Sequence, residues 1–141
     1  MRHRTWRRRG ANAVEFALVM PVLVMILTGI MEYGWFFSQQ IAMVSAVRDS
    51  VRAGATTPQE WGPEAAAEQQ LAKSLSAAGY GGTVYAEVWL SGGAPDQIIS
   101  VSAAFPYQPL VGFVPSPEMV SSALVMRMED QPDASVADAN W

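Results

Sequence analysis

The chain has 141 residues, half of them apolar, with a net charge of −4, no cysteine and one histidine. That length holds one small domain plus an accessory segment. Absence of cysteine excludes a disulfide framework and thiolate metal sites, and His3 as sole histidine leaves neither a Ser/His/Asp arrangement nor a zinc site, so no enzyme, cofactor, metal or small-molecule substrate is expected.

Charge is unevenly placed. Arg2, Arg4, Arg7, Arg8 and Arg9 precede residue 10 with no acidic residue among them. The remainder sets Arg48, Arg52, Lys73 and Arg127 against all 13 acidic residues, and 4 − 13 leaves it at −9. An acidic body argues against nucleic acid as a partner, because phosphate binding needs clustered Lys and Arg. The basic head reads as a topology signal.

From Phe16 to Met31 no residue is charged, and Glu15 and Glu32 bound the run. At ~1.5 Å per residue the interval between these two carboxylates is about 26 Å, close to the ~30 Å hydrocarbon core of a bilayer. A transmembrane helix over residues 11–37 is predicted, with Tyr33, Trp35, Phe36 and Phe37 suited to an interfacial belt. Five arginines before it place the N-terminus in the cytoplasm and the chain after about residue 35 outside. A secretory signal would end in small residues just after the apolar core, where Tyr33, Gly34, Trp35 and Phe36 stand. A plain single-pass anchor is not excluded, but it leaves Glu15 unexplained: a charge at the edge of an apolar run is costly unless it is paired. Pro21 removes one donor from the helix ladder, which predicts a kink or local loosening.

The helical pattern continues over 38–55. Phe37, Ile41, Val44, Val47 and Val51 form one apolar stripe, with Arg48 and Arg52 near it. Gly34, Ser38, Ala42, Ala46, Ser50 and Gly54 recur every fourth residue. This small-residue row either admits another helix closely or seats the chain's own domain. Gly54 is the expected C-cap of a helix of roughly forty residues.

The segment 56–129 reads as an α+β domain. Gly62, Pro63 and Glu64 open a short helix that closes before Gly79, with Ala67, Leu71, Leu75 and Ala78 on its buried side. The period then changes to two. Val84, Ala86, Val88 and Leu90 face the core in one strand, and Ile99, Val101, Ala103 and Phe105 in the next. The turn at 91–96 makes these two an antiparallel hairpin. Pro106, Pro109, Pro115 and Pro117 exclude regular structure up to Glu118, and Leu110, Val111, Phe113 and Val114 either cover the sheet or form an exposed contact patch. A third strand covers 120–129, and 130–141 is polar, unpatterned and expected to be a flexible tail.

The segment RRRGANAVEFALVMPVLVMILTGIMEYGWFF resembles the start of TadE-like pseudopilins, minor pilins of the tight-adherence (Flp) branch of type IV pili. There a glycine is followed by four residues, a glutamate and an aromatic, here Gly10, Ala11 to Val14, Glu15 and Phe16. AVRDSVRAGA at 46–55 is similar to that family's helix end, with Arg48 and Arg52 as its twin arginines; VSAAFPYQPLVGF and ALVMRME are similar to its last strands. Residues 56–82 carry no such pattern.

The resemblance implies that residues 1–10 are a leader, removed by a prepilin peptidase between Gly10 and Ala11. The new amine at Ala11 would stand one helical turn from Glu15, so the two charges would neutralise each other within or between subunits and fix register. The alternative is a glutamate held at a helix N-terminus by the dipole. The implied architecture is pilin-like α+β: a long N-terminal transmembrane helix on a small antiparallel three-stranded sheet, with one short extra helix. The implied role is priming or capping an adhesive Tad pilus from the bacterial inner membrane, with the C-terminal domain periplasmic. Its partners would be prepilin peptidase, other minor and major pilins, assembly-platform proteins and the lipid bilayer. The rival is a single-pass anchored interaction or sensor domain that is never processed.

Overall fold

A computed structural model describes residues 6–93, 96–112 and 114–129. The first five residues of the leader and the expected flexible tail at 130–141 lie outside the described residues. The chain divides into two compact units: Met1–Phe36 with Pro109–Ser116, and Phe37–Gln108 with Pro117–Trp141.

Helix α1 spans Trp6–Thr56, 51 residues, and runs through Pro21 without interruption. It is longer than expected at its start, since the helical geometry reaches back through Gly10 into the leader. In the first unit every residue from Gly10 to Leu27 is exposed. Fully burying a Val, Leu, Ile, Phe or Met stabilises by ~1.5–3 kcal/mol. Left in water, a whole run of them would forgo more than the ~5–15 kcal/mol that holds an ordinary domain together. This helix is long and apolar enough to cross a bilayer, with a mean hydropathy of 2.3 in its most apolar stretch.

In the second unit the outer part of α1 packs on the sheet and on α2 (Pro63–Ala77). The buried stripe of α1 is Met43, Ala46, Val47, Ser50, Val51, Gly54 and Ala55. This corrects the sequence reading in part. Val47 and Val51 are buried as expected, whereas Phe37, Ile41 and Val44 are exposed, and so are Arg48 and Arg52 on the same helix face. Close approach decides between the faces: the one carrying Ala46, Ser50 and Gly54 lets the backbones of α1 and α2 meet. Ser50 Oγ donates to the Ala67 carbonyl at 2.7 Å, satisfying a buried hydroxyl.

Gly54 is likewise no C-cap. The helix continues to Thr56, and a Cβ at Gly54 would stand 2.3 Å from Ile99 Cδ1, 3.0 Å from the Pro63 carbonyl oxygen and 3.1 Å from Ala67 Cβ. The glycine is there for packing. Beyond it, Thr57 Oγ1 donates to the Ala53 carbonyl at 2.7 Å, and a 3₁₀ turn at Gln59–Trp61 leads into α2.

Pro63 occupies the first turn of α2, where its missing N–H costs no hydrogen bond. Ala67, Leu71 and Leu75 are buried as the pattern predicts, while Ala78 is the exposed C-cap. The helix closes on Gly79 at φ 81°, with Tyr80 N–H donating to the Leu75 carbonyl and Gly79 N–H to that of Ser76, both at 3.0 Å. This left-handed Gly stop satisfies the last carbonyls.

Three antiparallel strands follow in the order β1 (Tyr85–Ser91), β2 (Ile98–Pro106) and β3 (Met119–Arg127). Register sets Val88, Val101 and Leu124 side by side, and likewise Leu90, Ile99 and Met126, so the alternating residues converge on one face. Phe105, Ile99, Val101 and Val120 are fully buried there, and Tyr80 stacks on Phe105 with ring centroids 4.0 Å apart at 27°. On the other face Tyr85, Trp89 and Val125 are exposed; Ser100 between Trp89 and Val125 is shielded by these larger neighbours. Tyr107 N–H donates to the Glu118 carbonyl at 2.9 Å, extending the β2–β3 pairing and closing the base of the proline-rich loop.

Candidate functional site

The N-terminal residues of interest stand on the exposed apolar surface of α1. Gly10, Ala11, Glu15 and Phe16 are all exposed, with Ala11 and Glu15 one turn apart. A Cβ at Gly10 would meet no atom within 4 Å. The small-residue row divides by position: Gly34 and Ser38 are exposed, Ala42 is half-buried, and Ala46, Ser50 and Gly54 are buried inside the second unit. Of the two readings left open, seating the chain's own domain therefore holds for the last three.

The most elaborated polar site was missed by sequence reasoning, which used Glu32 only to mark the end of the uncharged run. Glu32 is one of the few buried polar residues, at 1% exposure. Its carboxylate accepts backbone N–H bonds from the proline-rich loop: Leu110 at 3.0 Å on Oε1, Val111 at 2.8 Å and Gly112 at 3.4 Å on Oε2. Gly112 sits at φ 75°, a left-handed conformation that turns three successive amides toward one point and that a side chain would strain. Tyr33 Oη adds a 3.3 Å bond to the Pro115 carbonyl.

Charge-assisted bonds of this kind are about twice as strong as neutral ones, and three of them offset much of the cost of holding a carboxylate out of water. The signal available in the sequence was the same one that singled out Glu15: an acidic residue at a membrane edge asks for a partner.

Of the apolar loop residues, Leu110 and Val111 are exposed and Val114 is half-buried. Together with Ala17, Met20, Pro21, Val24, Met25 and Thr28 of α1, Val111 and Val114 line a crevice of about 700 Å³. No cluster of His, Cys, Asp or Glu suited to a metal occurs among the described residues.

An N-terminal helix long and apolar enough to cross a membrane, continuous with the core helix of a small α+β domain, defines the class: a pilin-like α+β architecture. Residues 10–52 match the family model described as TadE-like protein. No curated protein and no solved structure matches the chain.

Proposed function

We propose that the chain is a minor pilin of a Tad-type pilus, cleaved by prepilin peptidase between Gly10 and Ala11, and that it primes or caps the adhesive fibre with no catalytic role. The observation that carries this reading is the TadE-like match beginning at Gly10 and ending where α1 is buried in its own domain. The fully exposed apolar half of α1 supports insertion in the bacterial inner membrane, with Arg7, Arg8 and Arg9 favouring a cytoplasmic N-terminus and a periplasmic domain. A domain with its own core suits a fibre end or base, where only one of its faces need meet other pilins.

Cleavage requires the helix to open at residues 10–11. Glycine weakens a helix by ~1 kcal/mol relative to alanine, which favours that opening. Mass spectrometry of the membrane-extracted protein is the test: the wild-type chain should begin at Ala11. Gly10→Leu should retain residues 1–10 while folding normally, since the added side chain meets open space. A wild-type chain that keeps its first ten residues would instead establish an anchored interaction domain outside any fibre.

Glu15 then pairs with the amine released at Ala11. Glu15→Ala and Glu15→Gln should leave processing and membrane level near normal, yet both should lower recovery with sheared pili, through loss of ~1–3 kcal/mol of charge-assisted contact. Unchanged recovery and pilus number in both variants would reduce Glu15 to a helix-start residue.

A further inference from the structure

We propose that the loop Pro109–Ser116 is a membrane-inserted element, seated in the bilayer beside α1 from its Glu32 end, with lipid acyl chains filling the crevice between them and Glu32 as the pin that holds it there. Four observations converge. Residues 107–117 contain no charged side chain. Leu110 and Val111 are exposed on the surface of the unit that contains the membrane helix, and the crevice is continuous with that helix's exposed residues from Ala17 to Thr28. Those eleven steps correspond to ~16 Å, about half of the hydrocarbon core, and lie between the levels of Glu15 and Glu32.

The fourth observation is the backbone. Irregular backbone at membrane depth is tolerated only if its polar groups are satisfied by protein. Here Pro109, Pro115 and Pro117 have no N–H to satisfy, and the N–H groups of Leu110, Val111 and Gly112 are taken by Glu32. Glu32 thus has two functions: its own charge is stabilised by aligned amides at the bilayer edge, and the same bonds satisfy those amides in an apolar medium.

The chain has no cysteine, so single-cysteine variants of the full-length protein can carry an environment-sensitive fluorophore. Labels would be placed at positions 111, 23 and 85 through Val111→Cys, Leu23→Cys and Tyr85→Cys. The protein would be reconstituted at high dilution in vesicles of phosphatidylethanolamine and phosphatidylglycerol, with or without doxyl-labelled lipid. The inference rests on the membrane-spanning reading, which the label at position 23 tests separately. We expect position 23 to be quenched at depth, position 111 to be quenched by shallow doxyl groups with blue-shifted emission, and position 85, on the exposed sheet face, to be unaffected.

Glu32→Gln keeps the shape but turns a donor toward the loop amides, so it should abolish quenching at 111 and leave position 23 unchanged. Quenching at 23 but not at 111 overturns the loop's insertion while sparing the membrane helix. Shielding at 111 from both water and doxyl lipid that appears only as protein concentration rises would assign the crevice to a second copy and equally overturn the proposal. Persistent quenching at 111 in Glu32→Gln overturns the role of the pin, provided circular dichroism shows the variant folded.

Discussion

Truncating Phe105 to alanine is expected to cost about 3–5 kcal/mol, the usual range for removing a buried aromatic ring and leaving a cavity. Phe105 is 2% exposed at the end of the central strand, beside Val120 in register and stacked on Tyr80. Its ring links β2, β3 and the segment that follows α2, so collapse into the space would require three elements to move together. Tyr80→Leu removes the ring pair, worth about 0.5–1.5 kcal/mol, together with the exposed 3.3 Å bond from Tyr80 Oη to the Thr83 carbonyl, and should cost less than Phe105→Ala. Denaturant titration of the full chain in detergent, followed by near-ultraviolet circular dichroism, reads both. A loss below about 1 kcal/mol for Phe105→Ala would mean that this end of the sheet is not packed as described.

The second large effect is expected at Gly54. Valine there would place its branches among Ile99 Cδ1, the Pro63 carbonyl and Ala67 Cβ, all within 3.1 Å of where even a Cβ would stand. Ile99 Cδ1 is the end of a flexible side chain and can move, but the Pro63 oxygen belongs to the first turn of α2 and can yield only if that helix shifts. Overpacking of this kind costs ~1–3 kcal/mol and occasionally more, and valine at Gly54 belongs at the upper end.

Alanine is the informative intermediate. It gains ~1 kcal/mol of helix propensity against a smaller clash, so Gly54→Ala should be much closer to neutral than valine. Combining it with Ile99→Val, which removes the nearest atom, should give a favourable coupling in a double-mutant cycle. Gly34→Ala, in the same small-residue row but facing open space, should lose nothing. Equal losses at Gly34 and Gly54 would contradict the division of that row.

What the order of residues determines by itself is whatever depends on neighbours within a few positions. The uncharged run from Phe16 to Met31, the Gly-Pro start and Gly stop of α2, and the alternation in all three strands are of that kind, and each element lies within a residue or two of its expected place apart from the start of α1. Period-two alternation admits only two faces, so choosing the apolar one settles the sheet's orientation and leaves little room for error in register.

The outer half of α1 is different. Apolar residues occur on two faces, Phe37–Ile41–Val44 and Met43–Val47–Val51, and hydrophobicity alone does not choose between them. The choice is made by shape, because only the side bearing Ala46, Ser50 and Gly54 lets α2 and Ile99 approach, and that became visible only with those partners in place. Glu32 is the extreme case. Its three amide donors lie 78 to 80 residues away, beyond any local pattern, and a carboxylate that ends a membrane run in the sequence becomes the anchor of a loop only when tertiary structure brings those amides to it.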